Sequence, residues 1–544
     1  MSSSDSLERA RSLAKWLQLI MSMSCNTMAF SITPYFASDA KHDFFLGETQ
    51  IGFVFASFPM GYMISCVCMS LANISHLKMS TLTLWIRGFV LAFVGFSVMF
   101  GLIPTIFSDS TDGTHHDIAV RYAAMFGSLR FLQGLTVSVL DVLVLLYITK
   151  LYPEQVSAVV GQKEACMGLG VVFGPPLGGG LYSVGGFKAP PMVTGAIVFS
   201  IATVTQIVLL RSKRLHELHE LREVPLDLVK ALAVGVAPIA GLANDERAAL
   251  LLLSQPATHP RDKGRGVNII NATQSEDPSS RVLFSSSSQL VDDETAVQDA
   301  PSLAVETIDE TQHPAIVDDP QHIAPVTVQN LINLFRRLPV YTTVGPCCIS
   351  VLSIACFAFL ESMVPLYALD TYGVQAWGIG ITMGGAAIVY AAAAITIGIV
   401  LGSPSRKPLR PWVLAIAAIV LAFGMLLVAP SFHVIDMQAP NTIRHGYAVT
   451  TIGILICCSA MAVIAVVAVA LLVDEARATS LVLVPTAAAV ANFGMSLGGF
   501  IGPITGSALA EAFGFPIAFF SFSCGAVLLA AIFVSLVLVR KDRG

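Results

Sequence analysis

The sequence predicts an all-α, polytopic membrane protein built as two six-helix bundles around a long polar loop. Its 544 residues are 55% hydrophobic and only 12% charged, and the mean hydropathy is +0.73. Soluble globular chains carry about 25% charged residues, so this composition belongs to the membrane class. A helix needs about 20 mostly apolar residues to cross a bilayer, and twelve such runs are present, six on each side of a polar gap.

The spans divide the chain into three parts. The N-terminal bundle, residues 1–212, holds predicted spans at 16–38, 51–73, 81–104, 122–149, 160–183 and 191–210. The C-terminal bundle, residues 339–544, holds predicted spans at 342–369, 378–401, 411–430, 448–473, 481–509 and 515–539. Between them, residues 213–338 form a central loop, in which the segment 276–319 has eleven acidic residues and one basic residue. Such a segment cannot bury an apolar core, so we expect the loop to be largely disordered.

Lysines and arginines near the ends of the spans predict the orientation. If the N-terminus is cytosolic, the cytosolic side carries fourteen of these residues, Lys163 among them, and the other side carries four. Positive charge accumulates in cytoplasmic loops, so we expect both termini and the central loop to face the cytosol. The net charge of −5 offers no basic surface for nucleic acid.

The two halves repeat each other at an offset of 328 residues. Nine identities fall in one 21-residue window, where Met167, Leu169, Gly170, Gly174, Pro175, Gly178, Leu181, Gly186 and Phe187 recur as Met495, Leu497, Gly498, Gly502, Pro503, Gly506, Leu509, Gly514 and Phe515. At an offset of 331, Pro34, Ala37 and Asp39 recur as Pro365, Ala368 and Asp370. The repeat predicts that the fifth and eleventh spans are related by a pseudo-two-fold axis along the membrane normal.

Two motifs in the fourth and fifth spans resemble those of a known family. The first is Arg130-Phe-Leu-Gln133-Gly134, and the second is Gly170-Leu-Val-Val-Phe-Gly174-Pro175-Pro176-Leu-Gly178-Gly179. The two prolines remove backbone donors, and the glycines permit close helix approach. Both motifs resemble the drug/proton antiporter branch of the major facilitator superfamily, whose fold is two six-helix repeats around a central site. The resemblance implies a conformational role for Gly170, Gly174, Pro175, Pro176 and Gly178, and for their repeats Gly502, Pro503 and Gly506.

More narrowly, segments of both halves resemble the vesicular amine transporters, solute carrier family 18. They are Gly52-Phe-Val-Phe-Ala-Ser57, Phe359-Leu-Glu361-Ser-Met-Val-Pro365-Leu, and Leu472-Val-Asp474 with the later Gly502-Pro503. Gly161-Gln-Lys-Glu164 is similar to the polyamine branch. Where monoamine members carry charged residues, this chain has Ser24-Cys25-Asn26, Phe58, Ala462 and Asn492. The resemblance therefore implies an amine or polyamine substrate and puts a monoamine in doubt.

Four charged residues, Arg130, Asp141, Glu164 and Glu361, lie deep in predicted spans. A charge there costs at least about 2.5 kcal/mol on insertion scales, so it marks a functional site by default. Glu361 is the leading candidate because Pro365, four residues later, leaves the Glu361 carbonyl without an intrahelical partner. A carboxyl beside a free carbonyl suits a proton or a cation, and a structural acid paired with a neighbouring helix is the alternative.

The other candidates complete the predicted substrate- and proton-binding set. Arg130 matches the family arginine of the fourth span, and Asp141 shares its helix face roughly 16 Å further along. Asp141 either lines a cavity or bonds to a neighbouring helix. Glu164 is either a solvated acid at the helix end or a functional acid, and Asn492 occupies a family aspartate position. Three acids against one base predict an interior that attracts cations and protons.

The sequence therefore predicts a proton-coupled antiporter that moves an organic cation, an amine or polyamine, out of the cytosol. The alternatives are a multidrug efflux transporter at the plasma membrane and a non-transporting, receptor-like relative. A catalytic or metal-binding constellation is not evident, so we expect neither an enzyme nor a cofactor. We expect a monomer of a vesicular or other endomembrane, with a small cationic substrate, protons and the lipid bilayer as partners.

Overall fold

The computed structural model describes residues 3–71, 77–106, 114–152, 156–211, 340–401, 404–429, 440–479 and 484–541, and the expected central loop lies outside them. The helices of the first half are α1 (Ser3–Phe30), α2 (Phe36–His42), α3 (Glu48–Leu71), α4 (Met79–Ile106), α5 (His115–Leu151), α6 (Val156–Gly185) and α7 (Ala189–Arg211). Those of the second half are α8 (Val340–Tyr372), α9 (Ala376–Leu401), α10 (Arg410–Val428), α11 (Pro440–Thr479), α12 (Val484–Phe513) and α13 (Phe515–Lys541), with a short 3₁₀ helix at Pro404–Leu409.

The described part of the chain confirms the predicted all-α, multi-pass fold. Eleven of its helices, α3 to α13, are long and apolar enough to cross a membrane. They correspond to the second through twelfth predicted spans. Helix α1 is more polar, because Gln18, Ser22, Ser24 and Asn26 are buried along it.

The prediction of one continuous first helix over residues 16–38 is wrong. Helix α1 ends at Phe30, residues 31–35 form a turn, and α2 starts at Phe36. Pro34 lies in this turn and has no backbone N–H to continue a helical ladder. The Ser31 hydroxyl donates instead to the Met28 carbonyl at 2.8 Å. The break places polar residues of the first span between the two halves, as described below.

The fourth predicted span, helix α5, starts earlier than predicted because a capping motif precedes it. The Thr114 hydroxyl accepts from the Asp117 backbone N–H, and the Asp117 carboxylate accepts from the Thr114 N–H, both at 3.3 Å. This reciprocal pair satisfies two of the donors that a helix start leaves free. Helix α5 therefore begins at His115 rather than near 122.

The internal repeat is reproduced in the packing of equivalent helices. Helix α6 lies against α1, and α12 lies against α8, through glycines at which an added Cβ would run into the neighbouring helix. Each contact of the first half recurs 328 residues later in the second. The pairs are Gly170–Met23, Gly174–Thr27 and Gly178–Ser31, and then Gly498–Val351, Gly502–Ala355 and Gly506–Phe359. Helices α6 and α12 thus occupy equivalent positions, as the repeat predicts.

The turns after these two helices repeat as well. Gly186 follows α6 with φ +66°, and Gly514 follows α12 with φ +86°. Residues with a side chain rarely adopt this left-handed backbone, which explains why glycine recurs at both helix ends.

The two halves meet through a second, reciprocal pair of glycines. Gly380 of α9 approaches the Pro175 carbonyl of α6, and Gly52 of α3 approaches the Pro503 carbonyl of α12. The two glycines are 328 residues apart, and so are the two prolines. A side chain at either glycine would overlap the opposing carbonyl. The motif residues predicted to be conformational therefore form part of the interface between the halves.

Ion pairs join the halves at one face of the molecule. We call the side on which α1 begins and α13 ends the terminal face, and the other side the opposite face. At the opposite face the Lys41 ammonium lies 3.1 Å from Asp370 of α8 and 3.2 Å from Glu48 of α3. The His42 ring nitrogen lies 3.1 Å from the same Asp370 carboxylate. These contacts tie α2 to the second half, and we interpret the opposite face as the closed one.

The outer surface suits a lipid environment. On α9, Ile381, Ile388, Ile395 and Ile399 recur at intervals of seven and four residues and are 57–76% exposed. An apolar stripe of this kind is unfavourable in water and favourable against lipid chains.

Candidate functional site

Glu361 of α8 is contacted from the first half of the molecule. The Thr33 hydroxyl, in the turn after α1, donates to Glu361 Oε1 at 2.8 Å. Thr33 is buried, whereas Glu361 is partly exposed. Thr33 and Glu361 are 328 residues apart, so they are equivalent positions of the repeat. Each lies two residues after a member of the equivalent pair Ser31 and Phe359. A contact between equivalent positions lies at the pseudo-two-fold axis, so both halves hold the Glu361 carboxylate.

Arg130 of α5 is the positive charge of this site. Its guanidinium donates to Gln133 Oε1 at 2.8 Å and to the Ala29 carbonyl at 3.4 Å. It also lies over the Phe58 ring, 4.5 Å from the ring centre, in a cation–π contact. Arg130 is buried and interacts electrostatically with Glu361. The arrangement places a fixed positive charge opposite an acid across the interface between the halves.

Asp141 belongs to a separate site inside the first half. Its carboxylate lies 3.6 Å from the Lys163 ammonium of α6. Ser22 of α1 and Tyr62 of α3 donate to its two oxygens, each at 3.3 Å. The side chains of Asp141 and Lys163 are 5% and 6% exposed, so this is a buried ion pair. Of the two roles that the sequence left open for Asp141, these contacts correspond to bonding with neighbouring helices. Asp141 also has a cation partner, which the sequence did not predict.

The assignment of Lys163 to the cytosolic charges is wrong. Lys163 lies seven residues before Gly170, so the two are only about 20° apart around α6. Gly170 faces α1, and the Lys163 side chain is turned to the same buried face. The spacing from Gly170 was the signal that could have identified Lys163. Arg130 and Lys163 thus stand against Asp141 and Glu361 among the charges that the predicted spans enclose, and these four balance.

Two predicted site residues, Glu164 and Asn492, have side chains outside the described part of the structure. Their backbones lie in α6 and α12 respectively. The sequence missed Thr33, Ser22 and Tyr62, because an isolated hydroxyl in a membrane helix carries no distinctive pattern.

Two pseudo-symmetric helical bundles with charged groups between and within them define an integral, multi-pass membrane transporter. The family profile described as Major Facilitator Superfamily matches residues 19–483, and the chain belongs to this superfamily.

Curated relatives are similar to this chain over shorter stretches. The MFS-type transporter SLC18B1 of Homo sapiens is 25% identical over 185 residues, which is 34% of this chain and 37% of that protein. SLC18B1 of Rattus norvegicus is 39% identical over 62 residues, 11% of this chain and 14% of that protein. This chain therefore spans little more than a third of the length of the human relative. The predicted resemblance to solute carrier family 18 is confirmed.

Solved structures share the fold at low identity. The nucleoside transporter NupG has a TM-score of 0.53 and 11% identity, with 96% of this chain and 99% of that chain covered. A bacterial homologue of the human lysosomal transporter Spinster, in an inward-facing and unoccupied conformation, has a TM-score of 0.53 and 12% identity. It covers 97% of this chain and 96% of that chain.

Proposed function

We propose that the protein is a proton-coupled antiporter that moves an organic cation, an amine or polyamine, out of the cytosol. The observation that carries the proposal is the position of Glu361. It is a half-buried residue whose carboxylate lies at the pseudo-two-fold axis, with Thr33 of the other half donating to it and Arg130 opposite.

A single carboxylate at this position can couple two ions by competition. A charged carboxylate is unfavourable in a low-dielectric interior, but its protonated form and its complex with a cation are not. Proton and substrate then exclude each other at Glu361, and exchange of one for the other is antiport. Arg130 repels a bound cation, which limits its affinity and allows release.

Two observations support an amine as the cation. SLC18B1 relatives match part of the chain, and the sequence motifs resemble those of vesicular amine transporters.

The closed opposite face supports the direction of transport. Ion pairs at Lys41 and Asp370 hold that face shut, so substrate would enter from the terminal face. The distribution of lysine and arginine predicts that the terminal face is cytosolic. In the proposed cycle, this conformation loads substrate from the cytosol. The substrate is then released at the opposite face in exchange for protons that enter there.

Transport by purified protein in liposomes tests the proposal. Labelled polyamine should accumulate when a proton gradient is imposed, and collapse of the gradient with an ionophore should stop accumulation. Glu361→Gln, which mimics the protonated acid, should abolish proton-driven uptake, whereas Glu361→Asp should keep part of it. Glu8→Gln, at an exposed glutamate of α1, is the matched control and should transport like the wild type. Normal proton-driven uptake by Glu361→Gln would refute the proposed coupling site.

A further inference from the structure

We propose that Asp39 is a second proton-binding site of the transport cycle, loaded from the opposite face and connected to Glu361 through residues 33–39. The inference rests on the proposed proton coupling and adds a residue and a route to it. The route begins at α2, beside the ion pairs that close the opposite face.

Asp39 is an acid enclosed by aromatic rings. It is 6% exposed, and the Tyr182 hydroxyl of α6 donates to its Oδ1 at 2.7 Å. The Tyr182 ring is stacked on Tyr35 with ring centres 4.8 Å apart, and Phe187 lies edge-on to Tyr35 at 5.6 Å. A carboxylate in this position has one strong donor and little water, which favours binding of a proton.

Tyr35 connects Asp39 to the central site. Its hydroxyl is buried and has no hydrogen-bond partner among the described residues. It interacts electrostatically with both Asp39 and Arg130. Arg130 interacts in turn with Glu361. A buried hydroxyl without a partner is rare in proteins, and this one interacts with Asp39 and with the arginine that interacts with Glu361.

One short segment carries all these contacts. Thr33 donates to Glu361, Tyr35 lies near Arg130, and Asp39 faces Tyr182. The three side chains belong to the turn after α1 and the start of α2. The break in the first span therefore creates a polar path from the pseudo-two-fold axis toward the opposite face.

The charges around Asp39 come from three elements. His42 lies on α2 and Asp43 directly after it, Tyr182 faces Asp39 from α6, and Tyr35 faces it from the turn. Burial raises the pKa of Asp39 to about 6, while the Tyr182 hydrogen bond and His42 oppose the rise and Asp43 adds to it. The acid therefore titrates in the range of a mildly acidic compartment. Lys41 is engaged with Glu48 and Asp370.

The proton transfer balances without a further reactant. The Asp39 carboxyl loses its O–H proton and becomes a carboxylate, and the Glu361 carboxylate gains one proton. The proton that leaves Asp39 is the one that Glu361 gains, and the Tyr35 and Thr33 hydroxyls of the segment between them are unchanged. Arg130 keeps its proton throughout, because a guanidinium does not deprotonate in proteins, and acts only by its charge.

The test separates proton-driven uptake from substrate exchange. Asp39→Asn should lose proton-driven uptake in liposomes but keep exchange of labelled for unlabelled polyamine without a gradient, because Glu361 still binds substrate. Glu8→Gln, at an exposed acid of α1 on the terminal face, is the control and should keep both activities. Tyr182→Phe keeps the ring but removes the donor, so the pH midpoint of uptake on the opposite face should rise by about one unit.

The outcomes are distinguishable from a failure of the proposed function. If the wild type couples to protons and Glu361→Gln does not, but Asp39→Asn and Tyr182→Phe keep the wild-type pH dependence, the Asp39 site is refuted alone. Loss of exchange together with uptake in Asp39→Asn, with an unshifted midpoint in Tyr182→Phe, would also refute it and assign Asp39 a structural role. A wild type that takes up polyamine without regard to protons would refute the coupling itself.

Discussion

The buried pair of Asp141 and Lys163 makes a quantitative prediction about stability. At 3.6 Å the two charges attract each other by about 5 kcal/mol for an effective dielectric constant near 20. Lys163→Met removes the ammonium and leaves the carboxylate buried beside Ser22 and Tyr62. Loss of one partner from a buried pair costs about 3–5 kcal/mol, so each single substitution, Lys163→Met or Asp141→Asn, should be strongly destabilising.

The double substitution is the decisive variant. Removing both charges also removes the uncompensated one, so Asp141→Asn combined with Lys163→Met should be more stable than either single variant. The resulting coupling energy should be about 3 kcal/mol, measured from equilibrium unfolding in mixed micelles as a double-mutant cycle. Lys188→Met, at an exposed lysine beyond α6, is the control and should change stability little. Additivity of the two single effects within about 0.5 kcal/mol would show that the pair is not a unit.

Three further variants test the interfaces and the closed face. Gly178→Ala would drive a Cβ into the Ser31 carbonyl, in the turn after α1, and should destabilise by about 1–3 kcal/mol in thermal unfolding. Gly180→Ala meets open space and should be neutral or stabilising. Gly380→Ala would overlap the carbonyl that it faces across the halves, so spin-label distances across the opposite face should lengthen, and Gly385→Ala should leave them unchanged. The pKa of Asp39, raised by burial to about 6 from 3.8, means that low pH favours the closed opposite face. This preference should be full at low pH and lost as the pH rises through about 6. Asp39→Asn should abolish its pH dependence in the same spin-label measurement.

The fold was predictable because the two sequence patterns that specify it, the apolar spans and the internal repeat, each extend over many residues. Hydropathy marks spans of about 20 residues, and the 328-residue repeat is fixed by glycines that permit backbone contact. The same glycine spacing that marks Gly170 and Gly174 in the sequence recurs as the α6–α1 interface. The broken first span was missed, because an apolar run continues through Ser31 and Pro34 although the helix does not.

The site was predicted less completely, for a different physical reason. Glu361 and Arg130 could be found because a charge in a span is costly and therefore conspicuous. Lys163 was misassigned because a lysine beside Glu164 near the end of a span looks solvated, and only its register with Gly170 places it inside. Thr33 has no local signal, since a neutral hydroxyl in a membrane segment is inexpensive.

The repeat offers a reason why a single acid holds the centre. At a pseudo-two-fold axis, equivalent positions of the two halves lie in contact. If the two positions held the same residue, that residue would face its own copy. Two carboxylates in hydrogen-bonding distance cannot both be ionised, and one would stay protonated and unable to exchange. With Thr33 on one side and Glu361 on the other, the contact becomes a donor and an acceptor. Divergence at this one pair of positions leaves one carboxylate free to bind either a proton or a cation. Thr33→Glu should therefore stabilise a shared proton between the two acids and slow proton-driven exchange, whereas Thr33→Ser should preserve it.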